Sequence, residues 1–319
     1  PFWQVFRFAA PALMAGNVGV LKHASNTMMC GEKIEQVFLR AGFPEGCFQN
    51  LLIGSKKVEE VLVDERVKAV TLTGSGGAGG AVASTAGKHI KKSVLELGGS
   101  NALVVFEDAD LKEALETSVQ ARFQNTGQSC IAGKRLLLHE NIAEEFTSKF
   151  VEKVKALKAG DPMDEDTFIG VQARKDLAKD LEKQVKKSVE MGARILTGGE
   201  RKKAFFAPAV LDGVTTEMPI FNEETFGPAI GITTFKNDEE AVELINKTQF
   251  GLGVSLFTSD RERVKRLIPQ IEDGAVFVNE LVKSDPRLPF GGTKKSGYGR
   301  ELSQFGIREF VNIQTVYIK

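Results

Sequence analysis

Cysteine and histidine are both scarce in this chain, with 3 copies each in 319 residues, and each shortage argues against a class of protein. Cys30, Cys47 and Cys130 show no paired spacing, which excludes a disulfide framework and points to a reducing compartment, so a cytoplasmic location is expected. His23, His89 and His139 stand apart from one another and form no metal-ligand cluster, and each reads as a surface residue. No apolar run is long enough to cross a bilayer, and no leader-like segment is evident. Net charge is missing too. Lys+Arg and Asp+Glu balance at 42 each, so no global field favours nucleic acid or an anionic membrane as partner. What is left, 42% hydrophobic and 26% charged, is an ordinary globular composition with length for two domains.

The hydrophobic pattern alternates between two periods. Residues 18–21, 48–53 and 69–73 read as short buried strands, and residues 28–40, 57–63 and 79–87 between and after them have helical spacing. That alternation predicts βαβ units and a parallel sheet with helices on both faces, whose ligands bind at the carboxyl ends of the strands. From residue 100 a second α/β unit is expected. Its strands are 103–106, 136–139, 229–235, 254–257 and 276–278, with a long helix over 142–157. Residues 175–191 carry a thin apolar stripe on a charged background, a solvated amphipathic helix rather than a nucleic-acid patch.

Two stretches carry chemistry. In QNTGQSCIAGKR, residues 124–135, Cys130 lies among small, polar and glycine residues just after an apolar-periodic helix. A loop that presents one thiol suits attack on a carbonyl, because a thiolate is strongly nucleophilic near neutral pH. In SVLELGGSN, residues 93–101, Glu96 sits inside an otherwise apolar strand end. Burial there disfavours the charged carboxylate and pushes its pKa up into the range of a general base. A third stretch, GSGGAG at 74–79, follows a strand and opens a helix, as a dinucleotide fingerprint does, though alone it is a weak signal.

Taken together, VLELGG and QNTGQSC resemble the aldehyde dehydrogenase superfamily. The likeness extends in order through AGNVGVLKHAS, TLTGSGGAG, NEETFGPAIGI and LPFGGTKKSGYGRE, nearly the whole chain. It implies an α/β, aldehyde dehydrogenase-like fold: a Rossmann-type dinucleotide-binding domain over 1–98, incomplete at its start, and a catalytic domain over 99–304. It implies that Cys130 is the nucleophile, its backbone N–H an oxyanion donor, and Glu96 the base that activates water, which overrides the fingerprint's assignment of Glu96 to a ribose. On the cofactor side it implies Lys22, Ser25, Gly54, Thr73, Gly74, Ser75 and Leu97, with Glu224 on the nicotinamide ribose and Phe226 against the ring. Ser25 stands where relatives often carry a glutamate that would repel a 2′-phosphate, so both NAD and NADP stay open.

The details KHAS, YGRELSQFG and EFVNIQTV are most similar to the succinate-semialdehyde dehydrogenase branch. That implies an aldehyde substrate bearing a carboxylate, held by Arg7 and by Arg287 as a second guanidinium, with Gln124 where the branch places another arginine. Family members run longer at the front and carry a second oxyanion donor, an asparagine, upstream of Pro1. The chain is therefore expected to lack the family's N-terminal part, as a fragment or a short form. The segment 305–319, ending in IQTVYI, is expected to form a β-rich oligomerisation tail, and hence a homo-oligomer.

Overall fold

Why the chain alternates becomes plain in three dimensions, where a computed structural model describes residues 1–319 as two units. The first comprises Pro1–Leu97, Ser284–Gly291 and Gly297–Lys319, and the second Gly98–Lys283 and Gly292–Ser296.

The first unit begins α1 (Trp3–Met14), β1 (Gly19–Leu21), α2 (Met28–Arg40), β2 (Phe48–Asn50), α3 (Val58–Val63), β3 (Ala69–Thr73), α4 (Gly76–Lys88) and β4 (Lys92–Glu96). Strand β1 pairs parallel with β2, and β3 parallel with β4. These are two separate pieces rather than the single sheet expected. Val5 and Ala9 of α1 pack with Ile34 and Phe38 of α2 and Phe48 of β2. Glycines at 76, 77, 79 and 80 are poor helix formers, yet α4 holds its place. At Gly79 a Cβ would come within 2.7 Å of the Leu97 side chain, so only glycine lets the helix lie this close.

The second unit runs β5 (Asn101–Val105), α5 (Leu111–Phe123), β6 (Gly133–His139), α6 (Glu140–Lys155), α7 (Lys175–Glu190), β7 (Arg194–Thr197), the hairpin β8 (Arg201–Lys202) and β9 (Phe205–Phe206), and β10 (Ala209–Asp212). It continues with α8 (Pro219–Asn222), β11 (Ala229–Phe235), α9 (Asp238–Asn246), β12 (Phe250–Gly251), β13 (Val254–Phe257), α10 (Arg261–Leu267), β14 (Val276–Val278) and β15 (Thr293–Lys294). Seven strands make one sheet in the order β14-β13-β5-β6-β11-β10-β7, parallel except for β7. Its strands are apolar on both faces, as a doubly covered parallel sheet requires. Leu103, Val105, Leu136 and Leu138 face α5 and α6, where Leu115, Phe146 and Phe150 meet them. Ala102, Val104, Leu137 and Leu211 face the opposite core, with Leu181 of α7 and Ile245 of α9.

Two short elements, β16 (Gly297–Tyr298) and α11 (Ser303–Arg308), belong to the first unit, because β16 pairs antiparallel with β4 through Gly297↔Glu96. The second unit is therefore not the unbroken segment 99–304. The IQTVYI run forms no strand: no ladder reaches it, and Ile313, Tyr317 and Ile318 are more than four-fifths exposed. Two of the histidines are not surface residues either. His23 is buried, with Nε2 2.8 Å from the Pro1 carbonyl oxygen. His139 is buried where its Nδ1 accepts from the Asn141 N–H and caps α6.

Candidate active site

In the second unit, α5 is started by Asp110, whose carboxylate accepts from the Lys112 and Glu113 N–H groups, and it ends in the buried Phe123. The chain then passes through three successive left-handed residues, Asn125 (φ 53°), Thr126 (φ 56°) and Gly127 (φ 68°). A β-branched residue in that region is strained, at a cost on the order of 1–3 kcal/mol, and persists only where its surroundings over-determine it. Here they do. Thr126 Oγ1 accepts from the Gly170 N–H at 3.1 Å, and Gln128 Oε1 accepts from the Ala173 N–H at 2.8 Å. The buried Arg122 guanidinium donates to the carbonyls of Gly127, Thr225, Gly133 and Gly227. Burial pulls Arg122 down to about 9, still protonated near neutrality. Gly127 is required, since a Cβ would lie 2.5 Å from the Arg122 guanidinium and 2.7 Å from the Gly227 carbonyl oxygen.

Cys130 follows in a half-buried turn that leads into β6. Three consecutive carbonyls of this turn are held by side chains of the neighbouring strands. Lys134 Nζ on β6 donates to Ser129 O and to Cys130 O, each at 2.8 Å, and Asn101 Nδ2 on β5 donates to Ile131 O at 3.1 Å. Gly99 backs the turn closely, as a Cβ there would sit 2.6 Å from the Cys130 carbonyl oxygen. The sequence reading passed over Lys134 and Asn101. The one available signal was the basic pair Lys134 and Arg135 at the end of the cysteine motif, just before the apolar run Leu136–Leu138.

The polar segment after α8 brings Glu224 to the same turn. Its Oε1 accepts from the Gly99 N–H at 2.9 Å and lies 3.4 Å from Lys134 Nζ. The Phe226 ring is 6.0 Å from that ammonium. The second unit thus assembles Cys130, Glu224 and Phe226 around a lysine. Gln124 is half-buried at the C-terminal end of α5. A small cavity of about 70 Å³ beside Asp110, Phe257 and Ser259 contains none of these residues.

In the first unit, Glu96 ends β4, opposite Thr73 of β3 in the parallel ladder. Its carboxyl group is buried and neither oxygen has a hydrogen-bond partner. Burial, and then the neighbouring Glu301, push it up to about 9, against the opposing pull of Arg7 and Arg300. Arg7 does not stand open to a substrate. Its Nε is 2.7 Å from Glu301 Oε2, its guanidinium stacks 4.4 Å over the Phe290 ring, and only 5% of the side chain is exposed. The carboxylate-binding role expected of Arg7 conflicts with that geometry, because its guanidinium is buried against Glu301 and Phe290. Arg287 is 86% exposed and shares Asp285 through Nε and Nη2.

The cofactor-side candidates of the first unit lie at strand carboxyl ends: Lys22 directly after β1, Ser25 and Gly54 in the loops beyond β1 and β2, Thr73 at the end of β3, then Gly74 and Ser75. The Ser75 hydroxyl accepts from the Ala78 N–H and caps α4, whose first turn contains no acid. At Gly54, Gly76 and Gly77 an added Cβ would meet nothing within 4 Å. A thirteen-residue helix with an open, glycine-walled N-terminus fits a dinucleotide pyrophosphate, and a lysine at the end of β1 suits an anionic ribose.

Residues 1–316 match the aldehyde dehydrogenase family. The chain belongs to that family. A probable succinate-semialdehyde dehydrogenase, NADP(+), of Synechocystis is 52% identical over 322 residues, spanning all of this chain and 71% of that protein. A succinate-semialdehyde dehydrogenase, NADP(+), of Mycobacterium tuberculosis is 50% identical over 321 residues, again spanning the whole chain and 70% of the relative. Among solved structures, succinic semialdehyde dehydrogenase from Streptococcus pyogenes, in complex with NADP+, superposes with a TM-score of 0.97 at 38% identity and covers 100% of this chain and 70% of that one. Aldehyde dehydrogenases oxidise aldehydes to acids with a nicotinamide cofactor. No helix of this one is long and apolar enough to cross a membrane.

Proposed function

We propose that this aldehyde dehydrogenase oxidises succinate semialdehyde to succinate with NADP, through a covalent intermediate on Cys130. The observation that carries the reading is the strained turn at 125–127, which delivers Cys130 beside Glu224 on a fully braced loop. Names borne by relatives at 50–52% identity supply the substrate and the preference for NADP.

The Cys130 thiolate adds to the aldehyde carbon, and the carbonyl oxygen becomes an oxyanion facing the Cys130 N–H. Lys22 and Ser75 on the first unit, and Glu224 and Phe226 on the second, would each hold part of a nicotinamide dinucleotide, which when bound would accept the hydride lost from the Cys130 adduct as that adduct becomes a thioester. Glu96 takes a proton from the water that attacks this thioester, the acid departs, and the thiol is restored. A carboxyl group raised to about 9 is a strong base once ionised, and becomes ionised as pH climbs toward that value. Arg287, exposed on the first unit, meets Asp285 with its Nε–Nη2 edge, and its outer Nη1–Nη2 edge would receive the distal carboxylate. Ser25 in place of an acid means that this position adds no carboxylate three residues after Lys22, which suits the 2′-phosphate of NADP.

The test is reduction of NADP, followed by absorbance, with succinate semialdehyde and with an uncharged aldehyde of similar length. The charged substrate should be preferred by about 10-fold or more in kcat/KM, and Cys130→Ala should abolish turnover with both. Undiminished oxidation by Cys130→Ala would refute the nucleophile.

A further inference from the structure

Lys134, like Arg122 and Arg135, is a cation buried in the second unit, and its side chain is wholly enclosed. An ammonium has three N–H donors and no acceptor. This one faces three oxygens: Ser129 O and Cys130 O at 2.8 Å and Glu224 Oε1 at 3.4 Å. Burial pulls it down to about 8, and Glu224 is the main influence holding it up. A lysine kept in such a place at that cost needs a reason beyond packing, since an apolar side chain of the same length would fill the space without the desolvation penalty.

The reason lies in peptide geometry. A peptide unit is planar and trans, so its C=O and N–H point in opposite directions. The chain contains no cis bond. Holding Ser129 O therefore fixes the N–H of the same peptide unit, that of Cys130, so that it points away from Lys134. Holding Cys130 O fixes the next unit as well, and Asn101 fixes the one after it.

We propose that Lys134 is a positioning residue. By holding the carbonyls of Ser129 and Cys130 it sets the direction of the Cys130 N–H that receives the oxyanion, and it ties Glu224 to the same turn. The inference rests on the thiol chemistry proposed above, but not on the hydride step.

Lys134→Met removes all three donors and keeps the stem. The expected result is a kcat for NADP-linked aldehyde oxidation lowered about 100-fold with KM within about threefold, the pattern of a lost oxyanion donor. Acetylation of Cys130 by p-nitrophenyl acetate passes through the same kind of oxyanion without a nicotinamide, and should fall by a similar factor. Alkylation of Cys130 by iodoacetamide, measured at its pH plateau, forms no oxyanion and should stay within about threefold. Lys134→Arg, which keeps donors and charge, should recover part of the acetylation rate. Equal losses in acetylation and alkylation, or no loss in acetylation, overturn the proposal. A wild-type chain that is acetylated on Cys130 but never reduces NADP sinks the dehydrogenase reading and leaves this comparison intact. A wild-type chain that is never acetylated sinks both. If Lys134→Met fails to fold by its thermal melt, Lys134→Gln, which keeps a neutral donor, takes its place with an expected loss of about 10-fold.

Discussion

Arg7 Nε lies 2.7 Å from Glu301 Oε2 inside the first unit, with the two side chains 5% and 4% exposed. Thr71 adds a hydroxyl at 3.4 Å from the same carboxyl group. Burial is the larger influence on Glu301 and raises it, with Arg7 holding it down. Removing one member of such a pair leaves an uncompensated buried charge. Arg7→Met should therefore cost about 3–5 kcal/mol, read as a drop in chemical-denaturation midpoint, and Arg7→Met with Glu301→Leu should cost less than Arg7→Met alone. An Arg7→Met chain that unfolds at the wild-type midpoint contradicts the pairing.

Glu96 sets the pH dependence. Its folded-state pKa of about 9 lies above the ordinary 4.5, so the native chain binds a proton there that the unfolded chain has released. Stability from this group is therefore greatest below pH 4.5 and is lost as pH rises toward 9, whereas thioester hydrolysis, if Glu96 is the base proposed above, should speed up over the upper part of the same range. Glu96→Gln should flatten both profiles, and at pH 7 it should stabilise the fold by on the order of 1–3 kcal/mol while slowing thioester hydrolysis about 10²–10⁴-fold. A wild-type hydrolysis rate independent of pH between 6 and 9 would count against the base assignment.

Ser25 is exposed in the loop just beyond β1, three residues after Lys22. Ser25→Glu places a carboxylate where a 2′-phosphate is proposed to bind. The ratio of kcat/KM for NADP to that for NAD should fall by about 10-fold or more, as expected for roughly 1–2 kcal/mol of like-charge repulsion near a surface. An unchanged ratio would place the adenosine ribose elsewhere.

Strands were most legible where apolar residues run unbroken. Ala69–Thr73, Ala229–Phe235, Val254–Phe257 and Val276–Val278 form where the pattern puts them, because both faces of each read alike. Buried charges were illegible. Arg122, Lys134 and Arg135 look like surface residues in one dimension, and only the carbonyls they meet, 4 to 110 positions away, account for their burial. The return of Gly297–Tyr298 to β4 was invisible for a related reason, since a two-residue strand has no periodicity and is made by its partner. IQTVYI shows the converse: strong β-propensity gives no strand where no ladder forms. Cys130 and Glu96 stand out in the sequence because each breaks its local pattern, a thiol amid polar residues and a carboxylate in an apolar strand.

The most direct measurement is intact-protein and peptide mass spectrometry of Glu96→Gln, quenched after mixing with NADP and succinate semialdehyde. With the base gone and the nucleophile in place, a succinyl thioester should accumulate on the peptide that contains Cys130, together with one burst of NADPH. An unmodified Cys130 alongside continued NADPH formation, or acylation found on Cys30 or Cys47 instead, would contradict the account.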